Sequence, residues 1–185
     1  MTWLSDHLPQ GQPVLDASVI INLLGTHEPL EVLRALGYQS LVEERTLKEV
    51  RRHPVPGLKV EPLLDELQAQ GLLQVARMTD EEYEVYLDFV SGPLGRRLDD
   101  GESAALAISS RGSCIVLDER KARSRAASDV PGLIVVSTLR LIISGAHRAG
   151  WPPSKAKELV EAALSSARMG VPKAEQDLLA QVLAI

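Results

Sequence analysis

The apolar runs of this 185-residue chain are short and widely spaced: Val14-Leu15, Ser40-Leu41-Val42, Leu72 to Ala76, Cys114 to Leu117 and Leu133 to Val136. Between them lie stretches of helical character, at 18–24, 28–36, 46–53, 61–69, 79–90, 101–110, 119–127 and 138–149. Short strands that alternate with helices indicate a parallel sheet, because each helix returns the chain to the same end of the sheet. Both faces of such a sheet are covered, so its strands read as unbroken apolar runs, as Cys114-Ile115-Val116-Leu117 does. Hydrophobic residues make up 45% of the chain and aromatics only 3%, so the core is aliphatic, which suits the same architecture. The expected fold is α/β: a three-layer, Rossmann-like parallel sheet of four to five strands flanked by helices.

Helix ends are marked locally. Gly25, Gly37 and Gly71 stop three of them, Pro54 and Pro56 stop the 46–53 segment, and Thr79-Asp80-Glu81-Glu82 is a capping pattern. After Pro152-Pro153 the pattern changes, and 154–167 and 173–184 read as a helical hairpin around Gly170. The expected organisation is one sheet domain over residues 1–150, with a helical extension at 151–185 packed on it.

Bulk properties exclude several roles. Twenty Lys and Arg face 25 Asp and Glu, a net charge of -5. A protein that holds nucleic acid mainly by charge is usually basic, so any such contact here needs a local patch or cations that offset the acids. Few aromatics argue against a single-strand binder built on stacked bases. The lone Cys114 excludes an internal disulfide and is compatible with a reducing compartment. Residues 1–7 show no basic or apolar leader, and no apolar run approaches the roughly 18 residues that span a bilayer. The expectation is a cytoplasmic protein with no membrane contact.

Four acids stand at chemically informative places. Asp16 follows Val14-Leu15, Asp118 follows Ile115-Val116-Leu117, Glu102 opens the small-residue helix Gly101-Glu102-Ser103-Ala104-Ala105, and Glu49 lies in Thr46-Leu47-Lys48-Glu49-Val50. Ligands of open α/β sheets bind outside the carboxyl ends of the strands, so acids delivered there can share one pocket. Several carboxylates without a nearby cation call for a metal, since like charges a few ångström apart do not all stay ionised. Each residue also has a plainer reading: Asp16 as a helix cap, Glu49 as part of a charged face with Lys48, Arg51 and Arg52, and Asp99, Asp100 and Glu102 as partners of a helix dipole. As a set they suit Mg²⁺ or Mn²⁺, which prefer oxygen ligands and bridge carboxylates to phosphates. Arg120, Lys121, Arg123 and Arg125 follow Asp118 directly and read either as a solvated helix face or as phosphate-backbone contacts.

Other chemistries lack their residues. Gly101-Glu102-Ser103-Ala104-Ala105 lacks the last glycine of a nucleophile elbow and the strand before it, which leaves a serine hydrolase using Ser103 as a minor alternative. There is no phosphate-loop or dinucleotide fingerprint. The histidines at 7, 27, 53 and 147 lack metal-ligand spacing, so no zinc site is readable.

Over residues 13–150 the chain resembles a PIN-domain ribonuclease. The likeness is carried by Val14-Leu15-Asp16-Ala17-Ser18-Val19-Ile20-Ile21-Asn22-Leu23-Leu24, Leu47-Lys48-Glu49-Val50, Leu98-Asp99-Asp100-Gly101-Glu102-Ser103-Ala104-Ala105-Leu106-Ala107 and Ile115-Val116-Leu117-Asp118-Glu119-Arg120-Lys121-Ala122-Arg123. The resemblance implies a Mg²⁺- or Mn²⁺-dependent endoribonuclease with Asp16, Glu49, Glu102 and Asp118 as the catalytic, metal-holding acids. Ser18, Asn22 and Asp99 would support them, and Glu119 competes with Asp118 as ligand, with the strand-end position favouring Asp118. It implies RNA as substrate, and, if the chain is similar to VapC-like toxins, a homodimer with a small antitoxin partner. Val135-Val136-Ser137-Thr138-Leu139 and the helical tail are most similar to a less studied prokaryotic branch of that family. An inactive interaction module of the same fold is the alternative. Residues 54–98 make the chain longer than a minimal toxin.

Overall fold

The computed structural model describes residues 3–185. The absence of a leader was read in part from Met1 and Thr2, which lie outside the described residues. Five strands form one all-parallel sheet: β1 (Pro13–Leu15), β2 (Ser40–Glu43), β3 (Leu73–Ala76), β4 (Cys114–Val116) and β5 (Val135–Val136). Their order is β3-β2-β1-β4-β5. The chain therefore builds outward from β1 in one direction, then crosses to β4 and builds in the other. The crevice between the carboxyl ends of β1 and β4 is where such sheets bind ligands. Leu15 stands opposite Val116 there, so Asp16 and Asp118 leave neighbouring strands side by side.

Alternate strand residues face opposite layers. Leu15, Val42, Leu73, Cys114, Val116 and Val136 join a core built with α1 (Ala17–Gly25), α2 (Pro29–Leu36), α4 (Glu61–Ala69), α8 (Thr138–Arg148) and α9 (Pro153–Ala162). Val14, Leu41, Ala76, Ile115 and Leu117 face α5 (Asp80–Ser91), α6 (Asp100–Ala107) and α7 (Arg120–Asp129). In α6 every residue from Gly101 to Ala107 is buried, because side chains this small let the helix press onto the sheet. Among the described residues no helix is long and apolar enough to cross a membrane.

Most helices lie where the sequence places them, and Thr79 forms the expected capping box with Glu82. The segment expected at 46–53 differs. Here α3 runs only Glu44–Glu49, starting at once after β2 because the Glu43 carboxylate caps it. It ends well before Pro54. Residues preceding a proline are biased away from helical backbone, and Pro54 and Pro56 stand close together, so 50–60 is irregular. The expected 101–110 helix likewise splits into α6 and a short 3₁₀ turn, Ser109–Arg111.

The tail is α9, a π-helical turn (Ala163–Ala167), a 3₁₀ turn (Lys173–Glu175) and α10 (Gln176–Leu183). Leu159, Val160, Ala163 and Val182 lie in the same core as α1 and α8. Gly25 makes the close approach possible: a Cβ there would come within 2.6 Å of Ala167 Cβ and 3.2 Å of its backbone nitrogen. Buried Glu175 fixes the second half of the tail. It accepts from Ser137 Oγ and from Arg140 Nε at 3.0 Å, and lies 3.8 Å from Arg123 Nη2.

Candidate active site

A cleft of about 550 Å³ opens at the point where the strand order reverses, and Asp16, Glu49, Glu102 and Asp118 all line it. Asp16 caps α1. Its Oδ2 accepts from Ser18 Oγ at 2.6 Å and Ser18 N at 3.3 Å, so Ser18 orients it. Asp118 emerges two residues beyond β4 and is held by three donors. Thr138 N reaches Oδ1 at 2.8 Å, and Oδ2 accepts from Thr138 Oγ1 at 2.5 Å and Asn22 Nδ2 at 2.9 Å.

Glu102 occupies the third position of α6 in a reciprocal capping box. Its backbone N donates to Asp99 Oδ1 at 2.8 Å, and its carboxylate accepts from Asp99 N at 3.4 Å. Glu49 arrives from the end of α3 and rests against Gly101: a Cβ on Gly101 would lie 2.5 Å from Glu49 Oε2. Thr46 Oγ1 donates to Gly101 O at 2.9 Å, clamping α3 to α6. Asp99, Glu119, Ser18 and Asn22 also line the cleft.

Burial away from water raises all four carboxyl groups, and neighbouring acids add to the rise at Asp16, Glu49 and Glu102. Burial pushes Glu102 up to about 7, with Asp99 and Asp16 adding repulsion. Burial raises Asp16 against the pull of the Ser18 bonds, and raises Asp118 against its bonds from Thr138 and Asn22. Glu49, more open, is raised by desolvation and then by Asp99 and Asp16. Perturbation of several acids in one cleft marks it as a candidate functional site.

A family model described as a PIN domain matches residues 12–182. The chain belongs to the PIN-domain family. No curated protein and no solved structure matches it. The matched span of this PIN domain includes most of the helical tail, and the tail reaches the site: Ala167, Arg168 and Gly170 form one wall of the cleft.

The basic residues after Asp118 divide. Arg120 and Arg123 line a second groove of about 640 Å³, which shares Asp118, Glu119 and Gly170 with the acid cleft. Arg125 is committed to structure: it pairs with Asp129 at 2.5 Å, donates to Arg96 O at 2.5 Å and lies 4.9 Å over the Phe89 ring. Lys121 is exposed and lines neither cavity. Ser103 is fully buried, its hydroxyl has no partner, and it does not line the cleft, so the Ser103 hydrolase has no accessible nucleophile. Sequence reasoning missed two residues. Thr138 sits where a strand-to-helix cap is readable, since Ser137 caps α8. Arg168, far along in the tail, carries no local signal.

Proposed function

We propose that this PIN domain is a metal-dependent endoribonuclease that hydrolyses RNA phosphodiester bonds. The observation that supports this most is the convergence of Asp16, Glu49, Glu102 and Asp118, from four separate segments, on one cleft at the sheet's switch point. Among the described residues no three acidic, histidine or cysteine side chains stand close enough to enclose an ion. The donor set still fits Mg²⁺ or Mn²⁺. It is all oxygen, and Mg²⁺ keeps several waters and takes only one or two carboxylates directly. A group of acids whose pKa values are all raised also gains from such a charge.

Asp16 and Asp118 would hold the ion, because both are oriented by hydrogen bonds and leave lone pairs free. Glu102 and Glu49 would complete the site through bridging waters. The chemistry that Mg²⁺ or Mn²⁺ supplies in such a site is polarisation of water and neutralisation of charge developing on phosphate. Ser18 and Asn22 keep two carboxylates from turning away. Glu102, which burial pushes up to about 7, would hold a proton in the cleft without an ion and would release it once such an ion is held. No side-chain nucleophile is needed, and none lines the cleft in a suitable pair.

A catalytically inactive interaction module would gain nothing from crowding carboxylates where they cost stability. The toxin role, with a homodimer and a small antitoxin partner, rests on family membership; growth arrest on expression, relieved by a co-expressed neighbouring gene, tests it. The nuclease reading is tested by incubating purified protein with single-stranded RNA in Mg²⁺. Cleavage is expected from the wild type and not from Asp118→Asn or from EDTA-treated protein. Equal cleavage by all three would overturn it.

A further inference from the structure

The acid cleft has one cationic lining residue among the described residues, Arg168. Three features make it unusual. It forms no ion pair among the described residues, although six carboxylates line the same cleft. Its backbone is left-handed, φ 57° and ψ 43°, a conformation that costs any residue with a Cβ. And its backbone is held from both sides. Ala167 is pressed against Gly25, Met169 is buried and donates its N–H to Ala163 O at 3.2 Å, and the following turn is fixed by Glu175. The left-handed residue ends the helical turn as a C-cap does, but here it is a long cation rather than glycine and it lines the cleft, which gives it a role to fill beyond capping.

We infer that Arg168 anchors a phosphate of the substrate strand at the rim of the acid cleft, and that the strand continues into the adjoining groove. The inference rests on the nuclease reading and names the residue that makes it workable. Six carboxylates outnumber what one or two divalent ions offset, so a cationic side chain at the rim favours the approach of a phosphate. A guanidinium presents a planar fork that matches two phosphate oxygens at once. The groove beyond offers Arg120 and Lys173, both exposed, over Ala127, Val171 and Pro172. Cations with an apolar floor suit the alternating phosphate and sugar–base units of a single strand. Arg123 contributes less, because its Nη1 already donates to Leu117 O at 2.7 Å. The tail thus becomes one wall of the substrate path.

The test compares wild type, Arg168→Gly, Arg168→Lys and Asp16→Asn with a short fluorescein-labelled oligouridylate. Binding is read by anisotropy with Ca²⁺ replacing Mg²⁺, cleavage by initial rates in Mg²⁺, and stability by Tm. Glycine relieves the left-handed backbone, so a residue kept for structure would give a lower Tm despite that relief, and one with no ligand role would leave binding unchanged. The anchor predicts unchanged or higher Tm, but binding weaker by roughly tenfold, the scale of one charged hydrogen-bonded contact. It also predicts a raised KM, a shallower dependence of binding on salt, and partial rescue by lysine. Equal binding by wild type and Arg168→Gly, whether tight or undetectable, overturns the inference. Tighter binding by Arg168→Gly also overturns it and makes Arg168 a plug of the cleft. Asp16→Asn separates the two levels: loss of cleavage there with no effect of Arg168→Gly rejects the anchor alone, and full cleavage by Asp16→Asn rejects the nuclease reading.

Discussion

Asn22, on the second turn of α1, donates its amide to Asp118 Oδ2 at 2.9 Å. This bond ties the acid that follows β4 to the helix that follows β1, across the crevice where the strand order reverses. Asn22 Nδ2 also reaches Thr138 Oγ1 at 3.4 Å, so one buried amide links three elements. Asn22→Ala is expected to lower cleavage by about 10- to 100-fold, as loss of a residue orienting a metal ligand does. The stability cost is about 1–2 kcal/mol. Asn22→Asp is expected to be worse without divalent cation and to recover partly with it, because it adds a fifth carboxylate to the four already raised there. Rates and Tm measured with and without Mg²⁺ check both.

Gly101 gives a separable effect. The Glu49 carboxylate fills the space that a Cβ would take, 2.5 Å from Oε2. The obstacle is the far end of a flexible side chain, so the fold tolerates the change, and alanine is the better helix former by up to about 1 kcal/mol. Gly101→Ala is therefore expected to leave Tm unchanged or higher while evicting Glu49 and lowering cleavage. A Tm series beside initial rates distinguishes this from general destabilisation, which would lower both.

Gly25→Ala acts from the other wall. The added methyl meets Ala167 Cβ at 2.6 Å and its backbone at 3.2 Å, and backbone does not yield cheaply. Overpacking of this kind costs about 1–3 kcal/mol. Here it also displaces the segment that carries Arg168, so KM for RNA is expected to rise in protein that remains folded. Denaturant unfolding together with steady-state kinetics reads the two effects.

The sheet and two of the acids were legible in the sequence because each is a local signal: an apolar run, then an acid, then a helix. Asp16 and Asp118 are such cases, and strand order alone brings them together. Glu102 was legible as an acid that complements the dipole of its helix, while its reciprocal capping box with Asp99 is a finding of the structure. Glu49 was harder. Its helix was expected to continue to His53, whereas it ends at Glu49, and this places the carboxylate at a helix end against Gly101. The packing of α3 on α6 has no sequence signature. Arg125 was read with its neighbours as a solvated helix face or a phosphate contact, whereas Asp129 one turn on and Phe89 beneath engage it. Arg168 was not legible at all. The turn was expected at Gly170, but the left-handed residue is Arg168, set by how Ala163 and Ala167 fit against Gly25.

The acids also predict an inverted pH profile of stability. Glu102 is raised from 4.5 to about 7, so between those values the folded protein keeps a proton that the unfolded chain has lost. Its stabilising contribution is full below about pH 4.5 and is lost as pH rises through about 7, by up to about 3 kcal/mol. Asp16, Glu49 and Asp118 are shifted the same way and steepen the fall. In EDTA, Tm is expected to decline from pH 5 to pH 8, with a shallower decline in Glu102→Gln. Added Mg²⁺ is expected to raise Tm more at pH 8 than at pH 6. A Tm that rises with pH in EDTA would mean that the acids are not crowded as described.

The central claim is that acids from four segments form one cation site, and calorimetric titration of Mn²⁺ into the purified protein tests it most directly. At neutral pH the wild type is expected to bind Mn²⁺ with release of protons, seen as a heat that changes with the buffer's ionisation enthalpy. The folded Asp16→Asn/Asp118→Asn double variant is expected to show no such binding. Absence of binding to the folded wild type, or the same binding in both proteins, would contradict the account.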